Sequence, residues 1–555
     1  MMLCPRVKRS QETDERRQFN SLRLFTVGDG PLFETTLAVL APDLAIEHST
    51  REEANLVISV ANVFSSKDGY CYLRVTENGM EIHCRDNEGA RNAAAIFAQL
   101  LRREQTGFSL PCGWVEDWPD ASYRGFMLES SGRAWLPMER LYQYIREMAL
   151  ARMNVMVFHF MESPGCTIQL DCYPDWHGFG PDNLKYSKQE IRDMVAFAAS
   201  VGISVCPFVE VISHSTTFNE VAEIACPGDT PEHMFAVCVG QEKTFEAIER
   251  VLTEVAELFP YPVLHIGGDE YDMSEVTPLT VHWDECPRCR ALSARMGYTT
   301  YRELFLYAVR RVNRIVNRLG KVAMLWNADI KPEELPDEME RNMIVHYYRW
   351  DNTLGREKHY NLWPDGYADN GLTVVNSLYP QTYLDLSEYV AARKLCGWSY
   401  LNDPPVSHRN RARVVGGCCC AWEEFSHFER TIPAAILLFG DRFWNAEQDP
   451  VPYDGDYGRA MTHALFEGAL PADMNVFDAI GEVLPPLKNN EKIHAQELIA
   501  PLSELQRIAD ALHALADTGH PLARIYADMA DEAVTVRKNT STSKKVLDKR
   551  IEFKG

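Results

Sequence analysis

Residues Val263–Asp272 read VLHIGGDEYD, a short apolar run around one histidine, then two glycines, then two adjacent carboxylates. A run this short, closed by turn residues, reads as a buried strand that stops on Gly267-Gly268. On extended backbone, neighbouring side chains point to opposite sides. Asp269 and Glu270 are therefore not expected to form a face-to-face carboxylate pair. If both do chemistry, they have different tasks.

The same texture repeats on both sides of this stretch. Strands are read at RGFML (124–128), NVMVFHF (154–160), ISVCPFVE (203–210), VLHIGG (263–268), VAMLW (322–326), MIVHYY (343–348), LTVVNS (372–377) and CCCAW (418–422). Helical patterns lie between them, at MERLYQYIREMALARM (138–153), KQEIRDMVAFAASVG (188–202), FEAIERVLTEVAELF (245–259) and YRELFLYAVRRVNRIVNRLG (301–320). Eight strands alternating with helices predict an α/β chain folded as a (β/α)8 TIM barrel. A doubly wound open sheet shares the alternation, but strand count and span favour the barrel.

Residues 1–120 read as a small α+β domain. Its strands are NLVISV (55–60) and GMEIHC (79–84), its helix is NEGARNAAAIFAQLLRRE (87–104), and VEDWPDASY (115–123) forms a turn-rich joint. The barrel is assigned to 121–475 and a helical extension to 476–555. In that extension AQELIAPLSELQRIADALHALADT (495–518) packs on the barrel or on a second copy in a homo-oligomer. The last 20 residues, rich in Lys, Ser and Thr, are expected to fray.

Composition narrows the partners. Lys and Arg number 56 against 79 Asp and Glu, a formal net charge of −23. Nucleic acid and anionic membrane surfaces both call for a cationic face, so neither is expected as a partner. No segment approaches the roughly 20 apolar residues of a membrane span. The opening MMLCPRVKRSQETDERRQF lacks the apolar core of a secretory leader. Fifteen cysteines, odd in number and scattered, with Cys418, Cys419 and Cys420 adjacent, read as reduced thiols and a cytoplasmic setting.

Barrel enzymes build their sites just beyond the C-terminal ends of the strands. Here those positions hold Arg133, Glu162, His214, the Asp269-Glu270 pair, Trp326, Trp350, then Tyr383 with Asp385, and Trp422 with Glu424. Aromatic platforms beside carboxylates and an arginine are what a pyranose ring requires, with apolar faces to stack on and groups to bind its hydroxyls. A sugar site follows. Each residue alone also has a plainer reading: a solvated Asp-Glu loop, a core Trp, a satisfied His, an interdomain Arg. Only their joint recurrence at strand ends carries the argument.

With YRGFML (123–128), Arg133, HIGGDE (265–270), YLD (383–385) and AWEE (421–424), the chain resembles glycoside hydrolase family 20, the β-N-acetylhexosaminidases, over about residues 60–470. The resemblance implies a retaining enzyme acting on β-linked N-acetylhexosamine glycans, without a cofactor. It implies that Glu270 is the general acid and base and that Asp269 and Tyr383 hold the substrate's 2-acetamido group. It makes Glu162 and His214 a relay behind Glu270. Trp326, Trp350 and Trp422 would wall the pocket with Trp398 near its rim, and Arg133, Asp385 and Glu424 would bind sugar hydroxyls. The chain departs from the family pattern at Glu162 (commonly Asp), Cys166 (commonly Trp), the inserted Gly132, and Ile212-Ser213 (often Pro-Gly).

Two other classes share parts of this pattern. A metal-dependent barrel lyase or isomerase would use the strand-end carboxylates as magnesium ligands, and loss of activity with a chelator would mark it. A non-catalytic sugar-binding relative would not need Asp269, Glu270 and Tyr383 together. HWDECPRCRAL (282–292) carries Cys286-x-x-Cys289, but no second pair follows at finger-like spacing. Cys226 and Cys238 belong to another loop, so free thiols and no metal are expected there.

Overall fold

The structure is a computed structural model. It describes residues 3–131, 134–163, 165–219, 224–226, 236–270, 283–327, 330–331, 342–348, 363–379, 381–384, 398–422, 425–447, 455–480 and 500–552. Eight strands run parallel around a barrel: Tyr123–Glu129, Val155–Glu162, Ser204–Val209, Val263–His265, Val322–Trp326, Ile344–Tyr347, Thr373–Asn376 and Val414–Ala421. Each pairs with the next, and the eighth closes on the first through Gly416–Ala421 against Tyr123–Leu128. All eight strands read from the sequence are present, and closure rules out the open sheet.

Period-two alternation divides the barrel's side chains between two cores. Val155, Val157, Cys206, Phe208, Met324, Cys418 and Cys420 fill the interior, while Met156, Phe158, Val205, Leu325 and Cys419 pack outward on the helices. This accounts for the three adjacent cysteines. The middle one faces the opposite way from its neighbours, and all three are free thiols.

The outer layer includes the helices Met138–Leu150, Lys188–Ser200, Glu242–Leu258, Tyr301–Arg318 and Phe425–Trp444. Two of them open on capping boxes, Ser187 with Glu190 and Thr300 with Glu303, which pin where each chain segment leaves its strand-end loop.

Ahead of the barrel, a sheet in which Leu56–Val60 and Met80–Cys84 are parallel neighbours packs on the helices Pro31–Leu40 and Asn87–Leu100. Charged side chains join this unit to the barrel. Buried Arg124, on the first barrel strand, pairs with Glu88 and donates to the Arg152 carbonyl at 2.8 Å. Buried Arg152 pairs with buried Asp117 of the joint, and Trp444 Nε1 donates to Asp117 Oδ1 at 2.9 Å.

At the far end, the helix Leu502–Asp517 pairs with a helix that runs from Ala523 to Glu552. The expected fraying gives way to helix there. The buried face of Tyr526, Ala527, Ala530 and Ala533 nucleates it, and each further residue adds a hydrogen bond for little ordering cost. No helix among the described residues is long and apolar enough to cross a membrane.

Candidate active site

The chemistry gathers where the second, third and fourth barrel strands end. Glu162 closes the second strand, and its Oε1 lies 3.1 Å from His214 Nδ1. On its other edge, His214 Nε2 lies 3.5 Å from Glu270 Oε2 and 3.9 Å from Asp269 Oδ2. The three loops are also tied by hydrogen bonds to backbone carbonyls, with the Ser163 N–H donating to the His214 carbonyl at 2.8 Å and Ser213 Oγ to the Asp269 carbonyl at 2.5 Å.

The opposed directions expected of Asp269 and Glu270 are not what the backbone delivers. Gly267 and Gly268 have φ of 66° and 85°, and Glu270 itself has φ of 48°, as does His214. Left-handed backbone ends the extended geometry on which the alternation depends. Both carboxylates come round to one imidazole nitrogen. Non-glycine residues held in this region carry local strain, which tertiary contacts must over-determine.

A residue that the sequence reading left without a role explains the first glycine. Glu210, at the end of the third strand, is buried beneath the turn, and a Cβ on Gly267 would fall 1.6 Å from Glu210 Oε2. The Gly268 N–H donates to that oxygen at 3.1 Å. Burial, reinforced by the Asp269 charge, holds the Glu210 carboxyl well above its usual range. Its sequence signal was the same strand-end rule that found Glu162.

Electrostatics separates the groups. Burial opposes a charged His214, but Asp269, Glu162 and Glu270 outweigh it and hold the imidazole well above its ordinary value. Burial lifts the Asp269 carboxyl to about 6, with the Glu270 and Glu162 charges adding to the rise and the His214 charge opposing it. Asp269 Oδ1 is buried with no hydrogen-bond partner among the described residues. An orphaned buried carboxylate oxygen is costly in an empty site and is satisfied by a ligand N–H or O–H.

Aromatic rings cover the floor beside these acids. Trp326 stacks on His346, with centroids 4.1 Å apart and planes 16° apart, and meets Tyr348 edge-on at 5.4 Å. Tyr383 stacks on Tyr348 at 6.1 Å and lies 5.9 Å from Trp422. The buried Trp326 Nε1 also has no hydrogen-bond partner among the described residues.

Below them a neutral chain fixes the rings. The Gly267 N–H donates to His265 Nδ1 at 3.1 Å, so His265 Nε2 carries the proton toward His346 Nδ1 at 3.1 Å. His346 Nε2 then donates to Ser377 Oγ at 2.6 Å. Burial holds His265 well below its ordinary value and His346 down to about 3, in keeping with two neutral rings. His265 is thus a buried structural partner, while His346 was missed because nothing local separates it from core.

The remaining residues named from the sequence divide into two groups. Trp398 is buried against Phe439 and Phe443 of the helix Phe425–Trp444, in the outer core and away from the ring cluster just described. Arg133, Trp350, Asp385 and Glu424 lie outside the described residues.

The family model for the catalytic domain of glycosyl hydrolase family 20 matches residues 122–446. The chain belongs to that family. Among curated family-20 relatives, the beta-hexosaminidase of Vibrio furnissii is 25% identical over 398 residues, covering 64% of this chain and 61% of the relative. Beta-hexosaminidase 3 of Arabidopsis thaliana is 23% identical over 381 residues, covering 66% and 65%. This family-20 chain thus spans about three-fifths to two-thirds of the length of the curated relatives it matches first.

Solved structures share the fold. The GH20 exo beta-N-acetylglucosaminidase from Vibrio harveyi, in complex with N-acetylglucosamine, superposes with a TM-score of 0.70 at 21% identity, covering 85% of this chain and 76% of that one. Flavobacterium johnsoniae chitobiase superposes with a TM-score of 0.70 at 19% identity, covering 99% and 93%.

The family-20 site makes a pH prediction. On the reading that Asp269 must be ionised to accept a ligand N–H and balance a cation, activity is expected to fall as pH drops through its carboxyl value of about 6. The His214 charge lowers that value. In His214→Ala the acid limb of kcat/KM on a nitrophenyl glycoside therefore moves to higher pH, along with a fall in rate. A slower enzyme with an unmoved profile would leave His214 as packing.

Proposed function

We propose that this chain is an exo-acting, retaining β-N-acetylhexosaminidase that removes terminal β-linked GlcNAc or GalNAc with help from the substrate's own acetamido group. The carrying observation is the buried Asp269 Oδ1, unpartnered among the described residues, beside a Glu270 whose carboxylate touches His214. An ordinary retaining glycosidase places two carboxyls roughly 5–5.5 Å apart across the bond, one of them the nucleophile. Here the two acids are chain neighbours gathered on one imidazole, an arrangement that suits substrate assistance, the exception this family represents.

In the proposed reaction the acetamido carbonyl oxygen attacks the anomeric carbon as the bond to the leaving oxygen breaks. Glu270 gives its proton to that oxygen, and an oxazolinium ion forms. Its charged N–H faces Asp269 Oδ1, which aims the amide and balances the positive charge. Tyr383 hydrogen-bonds the amide oxygen. Water then attacks the same carbon while Glu270 takes its proton, and the five-membered ring opens with net retention. Glu162 and His214 orient Glu270, while Trp326 and Trp422 supply apolar walls. Arg133, Trp350, Asp385 and Glu424 complete this proposal as sugar-binding residues, by resemblance.

The beta-hexosaminidase names of the relatives support the substrate class. None of the fourteen described cysteines forms a disulfide, which fits a reducing, cytoplasmic setting.

The test is a panel of nitrophenyl β-glycosides of GlcNAc, GalNAc and glucose. Turnover of the acetamido sugars with the glucoside nearly inert is the expected outcome. Hydrolysis of the glucoside at a comparable rate would overturn the reading, since a plain 2-hydroxyl cannot form the cyclic intermediate.

A further inference from the structure

Four cysteines from two strand-end loops meet at one point away from the sugar site. Cys226 and Cys238 belong to the segment after the third barrel strand, and Cys286 and Cys289 to the segment after the fourth. All four are buried, and their sulfurs all lie within 4.8 Å of one another. Cys238 Sγ is 3.6 Å from Cys286 Sγ and 3.7 Å from Cys289 Sγ.

A disulfide needs about 2.05 Å between sulfurs. A tetrahedral ion with metal–sulfur bonds of about 2.3 Å sets its sulfurs roughly 3.8 Å apart along each edge. The observed separations match the tetrahedron. Buried thiols acting as small hydrophobes have no reason to converge four at a time on a common centre.

Their backbone setting matches as well. Cys286 is the N-cap and Cys289 lies in the first turn of the helix Pro287–Met296, where free N–H groups favour thiolates. The Gly240 N–H hydrogen-bonds to the Cys238 sulfur from the other loop. Gly240 has no room for a side chain, because a Cβ there would meet the Cys289 nitrogen at 2.4 Å.

We propose that Cys226, Cys238, Cys286 and Cys289 form a structural zinc site that staples these two loops together. The sequence expectation of unconnected free thiols rested on the lack of a second pair at finger-like spacing. The fold supplies that pair from across the barrel end. The staple has a direct line to the proposed catalytic loops. The Val237 N–H donates to the Ile212 carbonyl at 3.1 Å, two residues before His214, and Trp283 Nε1 donates to the Val237 carbonyl at 2.9 Å. Zinc would thus hold the His214 loop and the loop following Asp269-Glu270 at a fixed separation. With four protein ligands no coordination position stays open, so its role is structural.

The test is metal analysis of the full chain, produced in zinc-supplemented medium and purified without chelator. About one zinc per chain is expected, as for a four-cysteine site. It should be released as a mercurial titrates the thiols. Cobalt replacement should give the intense visible bands and sulfur-to-cobalt charge-transfer absorption of a tetrahedral thiolate centre. Cys286→Ser with Cys289→Ser should lose the zinc, whereas His214→Ala should retain it, which separates this site from an ion held by the active-site acids. Should the cysteine variant fail to fold, zinc content and the cobalt spectrum of the unaltered chain still decide. A chain without stoichiometric zinc, a disulfide among these four cysteines in non-reducing peptide maps, or a red iron centre would each overturn the proposal.

Discussion

Glu270→Gln retains sugar binding but lowers turnover of a β-linked N-acetylhexosamine disaccharide by about 10²- to 10⁴-fold, the usual worth of a positioned acid–base group. The substitution keeps size and shape, so the left-handed backbone at this position, φ 48°, is not newly strained. It removes the proton that the leaving oxygen needs and the base that the incoming water needs. A nitrophenolate leaves without protonation, so the first step on nitrophenyl substrates is hurt less than on the disaccharide. Rates on both substrates, with product affinity by calorimetry, check this. Near-normal disaccharide turnover would remove Glu270 from the role.

Asp269→Asn tests substrate assistance. Asp269 Oδ1 is buried without a partner among the described residues, and the carboxyl sits next to the His214 charge. Asparagine fills the same space but brings no negative charge to a forming oxazolinium. Removing one such transition-state contact costs about 10²- to 10³-fold in kcat. A thiazoline mimic of the cyclic intermediate binds the unaltered enzyme far more tightly than product GlcNAc does, because the site complements the charged bicyclic state. The variant should lose most of that excess and little of the product affinity. Equal losses for mimic and product, or a glycosyl ester trapped on Asp269, would exclude the assisted route.

The barrel was legible because its signal is local. A buried parallel strand is a short apolar run, an amphipathic helix repeats every 3.6 residues, and alternation of the two over this span admits few folds. The strand-end rule then pointed to Glu162, His214, Asp269, Glu270, Trp326, Tyr383 and Trp422 from position alone. The described structure gathers the first four around one imidazole and the last three into one group of rings. Glu210 also closes a strand, but the rule as applied took His214 from that loop and passed it over.

What remained hidden depends on contacts between residues far apart in the chain. Opposed directions for Asp269 and Glu270 followed from extended backbone, yet the left-handed turn over Glu210 cancels that premise. Gly267 read only as the end of a strand, but the space beside it belongs to a carboxyl more than fifty residues earlier in the chain. Trp398 carries the same side chain as Trp422, but the chain path lays it on Phe439 and Phe443. Cys226 and Cys238 stand far from Cys286 and Cys289 in the chain, so no spacing rule joins them. Local pattern selects which elements form, since backbone hydrogen bonding and burial periodicity act over a few residues. Which side chains share a point in space is set only when the barrel closes and brings the ends of non-adjacent segments together.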